Sequence, residues 1–248
     1  MSVQFVAVIE KIKGLRGELF RAHSSFRAYE VLQEMRAPNI IGKEEASRNA
    51  KAIGDYKGFF NIAEHALNTD YLVSLAKLYD KHPDGTSLPK LLDYLKSNVS
   101  KLTVEDFVDY NKDRPDIDEL KSVYVGINPP NITKIQAKLK TLDSELKKLK
   151  RVRDKHIAHL EMKNLEDLQG VKLPQDVKSS TSKDDNLTYG EINNLIGSAD
   201  EILNTISSLV NKDIAEFSFL KETVTQDSEQ LLKLVRDAYD EIPSGDIS

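Results

Sequence analysis

Apolar residues near the N-terminus recur at alternating spacings of three and four, and this repeat limits what the chain can fold into. The seam consists of Phe5, Val8, Ile12, Leu15, Leu19, Ala22, Phe26 and Tyr29. Because an α-helix has 3.6 residues per turn, the spacing places these side chains on one face over about seven turns. We therefore predict one long amphipathic helix, which Pro38 ends or follows.

A second helix is predicted to begin near Lys43. Its buried side is marked by Ile53, Phe59, Phe60, Ala63 and Leu67. We expect this helix to break near residues 69–70 and to resume over the stretch YLVSLAKLYD. The KHPDGTS segment that follows has the composition of a turn.

Short helices separated by turn residues are predicted between residues 71 and 128. Ser87 is placed to cap a helix that carries Pro89 in its first turn. Thr103 begins an acidic capping sequence, and the stretch 126–130 contains glycine and proline. These signals predict an insert of short helices packed on a core of long helices.

Two further apolar repeats mark long helices in the second half of the chain. The first comprises Ile132, Ile135, Leu139, Leu142, Leu146 and Leu149, and the second comprises Ile192, Leu195, Ile196, Ala199, Ile202, Leu203, Ile206 and Leu209. We expect the first helix to run to about Leu160 and a final helix to span residues 226–239. Residues 163–187 read as a long loop, rich in serine and charge.

The absence of any alternating strand pattern completes the prediction of fold class. The chain is predicted to be all-α, a helical bundle of about four long helices with the short-helix insert. Residues 1–212 would form this bundle, and residues 213–248 would form an acidic, helical C-terminal extension.

Composition excludes several classes of protein. The chain has no cysteine, which excludes disulfides, thiolate chemistry and cysteine zinc sites. It has no run of eighteen apolar residues and no signal-peptide pattern at its start, so we expect a cytoplasmic protein without a membrane segment. The net charge of −5 argues against a protein that is basic throughout.

Charge is distributed unevenly along the chain. Residues 131–160 carry nine lysines and arginines against three acids, whereas residues 213–248 carry nine acids against three bases. An acidic protein can still present one basic face to a polyanion such as RNA. The alternatives are that the two stretches compensate each other across the surface, or that the lysine-rich stretch is an ordinary solvated helix face.

The apolar repeat that ends at Leu149 continues in register into basic residues. The next positions on the same face are Arg153 and His156, and His159 lies one turn beyond. Because a buried charge without partners is costly, the seam must open into a cleft there or meet compensating groups.

The sequence around these residues, RDKHIAH, resembles the signature of HEPN domains. That signature is an arginine, four to six residues and then a histidine, with a polar residue commonly after the arginine. Arg153 and His159 fit it with five residues between them, and Asp154 supplies the polar position. With the lysine-rich helix and the upstream DYLVSLAKLYDKHPDGTSLPKLL, the chain resembles the abortive-infection branch, the AbiU-like HEPN domains, over roughly residues 5–210.

The resemblance implies metal-independent cleavage of RNA in a composite cleft formed by a homodimer, with no cofactor. His159 would act as general base or acid, and Arg153 would hold the scissile phosphate. Asp154 would orient one of the two, and His156 would assist or line the cleft. Flanking phosphates would be held by Lys150, Arg151 and Lys155. A cognate antitoxin or regulatory protein is a further expected partner.

Other interpretations of the same residues remain open. Arg153 and His159 could merely complement the carbonyls and dipole of a helix end. His156 and His159 could share a metal ion, although no third ligand is evident nearby. The whole chain could be a non-catalytic helical module that binds RNA or a partner protein. In a two-gene system, Tyr189 could be a target of nucleotidyl modification.

Overall fold

A computed structural model describes residues 1–81, 85–155, 187–215 and 218–240. All regular elements in these ranges are helices, which confirms the all-α class. The α-helices are α1 (Val3–Glu34), α2 (Pro38–Ile41), α3 (Lys43–Asp55), α4 (Lys57–Tyr79), α5 (Leu88–Asn98), α6 (Val104–Tyr110), α7 (Ile117–Ser122), α8 (Pro129–Thr141), α9 (residues 143–155), α10 (Tyr189–Val210) and α11 (Ser218–Asp240). A 3-10 turn follows α5 at Val99–Lys101.

Four of the described helices exceed twenty residues, but they are not the four predicted for the bundle, since α11 lies in the predicted extension and the predicted helix from residue 132 is interrupted. They are α1, α4, α10 and α11. Across the described part of the chain, no helix is both long and apolar enough to cross a membrane. The predicted loop at 163–187 lies outside the described residues, apart from residue 187.

The chain divides into two compact units. Unit 1 contains the described residues of 1–19 and 72–215, and unit 2 contains those of 20–71 and 216–248. The long helices α1 and α4 contribute residues to both. Our division of the sequence at residue 212 stays a prediction.

Unit 1 is built on the first part of the α1 seam and on the apolar face of α10. Its fully buried side chains include Phe5, Ile12, Leu15, Leu19, Leu91, Leu95, Phe107, Leu195, Leu203 and Ile206. A capping box begins α10, in which Glu191 N–H donates to Thr188 Oγ1 at 3.2 Å and Thr188 N–H donates to Glu191 Oε2 at 2.8 Å. These reciprocal bonds satisfy donors that the first turn of a helix leaves without partners.

Unit 2 has a smaller core between α3, α4 and α11. Ile53, Phe60 and Leu232 form its buried centre, and Leu32, Met35 and Val235 pack around them. The Asn49 side chain donates to the Met35 carbonyl at 2.9 Å, so its buried amide is satisfied. Phe59, which we predicted on the buried side, is 62% exposed, because the neighbouring Phe60 occupies the inward position of the turn.

The predicted break in the second helix is in the wrong place. α3 ends at Asp55, where Tyr56 takes a non-helical conformation, and α4 then runs without interruption to Tyr79. The hydroxyl of Thr69 donates to the His65 carbonyl within α4 at 2.8 Å, so this residue does not break the helix. Residues 71–79 therefore end a long helix, and the short helices begin at Leu88.

The helix predicted from residue 132 to about Leu160 is interrupted at Leu142. Leu142 N–H donates to the Leu139 carbonyl, and the Leu142 carbonyl accepts from Leu146 N–H at 2.9 Å. Leu142 thus ends α8 and begins α9 while its side chain stays 2% exposed. The apolar seam survives the turn because this leucine remains in the core.

The two predicted capping residues of the short helices differ in outcome. Thr103 caps α6 by accepting a bond from Asp106 N–H at 3.2 Å, as predicted. Ser87 occupies the cap position of α5, and Pro89 lies in the first turn, but the serine side chain makes no capping hydrogen bond.

Candidate functional site

α9 carries most of the residues that the sequence singled out. Leu149 is buried, and Arg153, one turn later on the same face, keeps 24% of its side chain exposed. This is the predicted change from a closed apolar seam to an open basic position. His156 and His159 lie outside the described residues, so their predicted roles stay predictions.

A groove of about 610 Å³ within unit 1 lies between the end of α4 and α9. Its lining residues are Ala76, Tyr79, Asp80, Lys81, Asp143, Leu146, Lys147, Leu149, Lys150 and Arg153. Four of these side chains are basic and two are acidic, so the groove carries a surplus of positive charge. We call it the basic groove, and it suits an anionic ligand.

Arg153 is held at one end of the basic groove by carboxylates. Its Nε and Nη2 both donate to Asp154 Oδ1, at 2.9 and 2.7 Å. Its Nη1 faces Asp80 Oδ2 at 3.8 Å, which is an ion-pair distance but too long for a hydrogen bond. The structure therefore brings the predicted pair Arg153 and Asp154 together, and it adds Asp80, which the sequence did not indicate.

The opposite side of α9 uses charge for packing. Lys148 pairs with Glu191 of α10 at 2.6 Å, and Asn194 of α10 donates to Glu145 at 3.3 Å. A further ion pair joins Lys138 of α8 to Glu201 of α10. The hydrogen bond from Lys148 holds the pKa of Glu191 below its ordinary value. Part of the basic stretch is thus compensated by α10 and not by the acidic stretch 213–248 that the alternative interpretation named.

Tyr79 is a buried lining residue of the basic groove. Its hydroxyl donates to the Leu195 carbonyl at 2.6 Å, and the residue is 6% exposed. Burial raises the pKa of Tyr79 far above its ordinary value. Tyr79 therefore stays protonated at neutral pH, and its hydrogen bond to α10 holds it in place beside the groove.

The predicted phosphate-binding residues separate into two groups. Lys150 lines the basic groove, whereas Arg151 and Lys155 are exposed on α9 without being among the lining residues. Sequence reasoning did not assign Lys147 to the site. Its spacing of three from Lys150 places both on one helix face, and this signal could have found it.

Metal and modification sites were the remaining alternatives. Within the described ranges, no group of three or more histidine, aspartate and glutamate side chains could hold a metal ion. The alternative in which His156 and His159 share a metal lies outside those ranges. Tyr189 is the first residue of α10 and is 45% exposed.

The all-α fold and the basic groove beside an Arg–Asp pair agree with a HEPN domain. The family model of AbiU2-type HEPN domains matches residues 5–231. The match covers most of the chain, which therefore belongs to the AbiU2 family of HEPN domains. It confirms the resemblance and extends it from residue 210 to residue 231, into the C-terminal segment. No curated protein and no solved structure matches the chain.

Proposed function

We propose that this protein is a metal-independent endoribonuclease of HEPN type that acts as a toxin or antiviral abortive-infection effector. The observation that carries the proposal is Arg153, which occupies the arginine position of the HEPN signature and lines a basic groove with its guanidinium partly exposed. RNA is the substrate class that this combination of charge and family supports.

In this proposal Arg153 binds the scissile phosphate and stabilises the charge that it gains in the transition state. Asp154 orients the guanidinium through the two hydrogen bonds from Nε and Nη2. Lys147 and Lys150 bind flanking phosphates in the groove, and Arg151 and Lys155 extend the basic surface along α9. His159 is the general base or acid for the ribose hydroxyl and the leaving oxygen, and His156 assists it.

The proposal includes a homodimer. HEPN motifs commonly act as pairs in a composite cleft, so one basic groove would supply half of the active site. The proposed partners are RNA, a second copy of the chain and a cognate antitoxin or regulatory protein. Sedimentation of the purified protein tests the dimer, since a monomer at all concentrations would contradict this part of the proposal.

Cleavage of RNA in the presence of EDTA tests the main proposal. Purified wild type, Arg153→Ala, His159→Ala and Lys134→Ala would each be incubated with total RNA. Lys134 is an exposed base of α8 outside the groove, so its removal controls for the loss of one positive charge. We expect cleavage by the wild type and by Lys134→Ala only. Cleavage that Arg153→Ala and His159→Ala retain would contradict the proposal.

One observation favours a second candidate, a non-catalytic module of the same fold. Arg153 is already engaged by Asp154 and faces Asp80, as expected of a residue in a structural ion-pair network. Such a module would bind RNA or a partner protein without cutting it. RNA binding that depends on Arg153 but produces no cleavage, from folded protein, would favour the module.

A further inference from the structure

Of the two acidic residues that line the basic groove, Asp80 is the one that faces Arg153. It follows the last residue of α4, and 48% of its side chain is exposed. It also lines a second cavity of about 490 Å³, on the side of Gly14, Lys77 and Ser87. Asp80 thus borders open space on two sides.

The geometry at Arg153 separates the two acids that surround it. Asp154 accepts hydrogen bonds from Nε and Nη2, which leaves Nη1 without a hydrogen bond in the described part of the structure. That nitrogen faces Asp80 across 3.8 Å. A guanidinium has five N–H donors, so Nη1 is the edge at which a further anion can bind while Asp154 stays in place.

We infer that Asp80 competes with RNA phosphate for the Nη1 edge of Arg153 and thereby weakens RNA binding to the groove. The inference rests on the proposed function and deepens it by naming a residue that regulates the same site. A phosphate that binds Nη1 comes close to the Asp80 carboxylate. The two negative charges then repel each other. Asp80 therefore lowers the affinity of the groove for RNA.

A matched control lies in the same groove. Asp143 is also an exposed carboxylate that lines the basic groove, but it forms no ion pair among the described residues. Asp80→Asn and Asp143→Asn therefore remove the same charge from the same groove. Only the first removes the carboxylate that faces Arg153, so the difference between them isolates the competition.

The test is binding of a short, fluorescent, single-stranded RNA with 2′-O-methyl groups, which lacks the ribose hydroxyl on which the proposed cleavage depends. Fluorescence anisotropy would give Kd for wild type, Asp80→Asn, Asp143→Asn, Arg153→Ala and the double variant Asp80→Asn with Arg153→Ala. Circular dichroism would confirm that each variant is folded. We expect Asp80→Asn to lower Kd about two- to fivefold, the range of a partly exposed ion pair. Asp143→Asn should lower it less.

The double variant decides whether the effect acts through Arg153. If it does, Asp80→Asn should change Kd little once Arg153 is alanine, and the two substitutions should be non-additive. Equal effects of Asp80→Asn and Asp143→Asn, or weaker binding by Asp80→Asn, would overturn the role of Asp80 and leave the proposed function intact. RNA binding that Arg153→Ala does not weaken would instead overturn the proposed function, and the role of Asp80 with it.

Discussion

The two sides of α9 place the same kind of residue in different surroundings. On the packed face, Lys148 forms a close ion pair with Glu191. On the groove face, Lys147 and Lys150 line an open groove and form no ion pair within the described ranges. The lysines are alike in sequence, so the difference comes from what α10 and α4 place opposite them. A run of lysines therefore does not identify a binding surface until its neighbours are known.

The largest effect on stability should come from truncating Leu149, a buried residue beneath the basic groove. Leu149 is 2% exposed and also lines the basic groove. Leu149→Ala should lower the free energy of unfolding by about 2–5 kcal/mol, because a buried leucine leaves a cavity when truncated. Urea unfolding followed by circular dichroism measures this loss. Leu146→Ala, at a half-buried position of the same helix, should cost less, and equal losses would contradict the burial described for Leu149.

Arg153 and Lys148 form the sharpest functional contrast between the two faces. Arg153→Ala should lower the rate of RNA cleavage by about 10²-fold or more, the effect of losing one charge-stabilising donor. Lys148→Ala should leave the rate unchanged and lower the free energy of unfolding by at most about 1 kcal/mol. Single-turnover cleavage and thermal unfolding would be measured on both variants. A cleavage defect in Lys148→Ala with normal stability would remove the distinction between the faces.

Salt dependence of RNA binding sharpens the same contrast. Each phosphate contact on a single strand contributes about 0.7 to the slope of log affinity against log salt. Lys150→Ala should reduce the slope by about that amount, because its ammonium would no longer release a counterion. Lys134→Ala should leave the slope as in the wild type. Anisotropy titrations at several salt concentrations measure it, and equal slopes for wild type and Lys150→Ala would place Lys150 outside the RNA contact.

Local patterns predicted the helices well where an apolar face or a capping residue determines the structure. The α1 seam, the α10 repeat and the Thr103 cap are each confirmed, because spacing and capping chemistry act within a few turns. The breaks at Tyr56 and Leu142 were not predicted, since neither residue is a glycine or a proline. At Leu142 the helix is interrupted while the apolar register continues, and no spacing rule shows that.

The candidate site was predictable only along its own helix. Arg153, Asp154 and Lys150 follow from the motif and from the register of α9. Asp80 and its neighbour Lys81 lie more than seventy residues before Arg153 in the sequence. Only the tertiary structure brings them to the groove. The pairing of Lys148 with Glu191 was equally out of reach, although the capping sequence from Thr188 to Glu191 could have been recognised.

The smallest predicted effect tests the packed face through pH. Lys148 lowers the pKa of Glu191 in the folded protein, so the charged carboxylate stabilises the fold. This contribution is present above the ordinary glutamate pKa of 4.5 and is lost as pH falls through the lowered pKa of the folded state.

Glu191→Gln keeps an acceptor for the capping box but removes the charge. The wild type should exceed this variant in free energy of unfolding at neutral pH, by no more than about 1 kcal/mol. The gap should close in acid. In the Lys148→Ala background the gap should be smaller at neutral pH as well, because the largest cause of the shift is gone. A gap that is independent of pH would mean that the α9–α10 contact depends on the shape of the side chain and not on its charge.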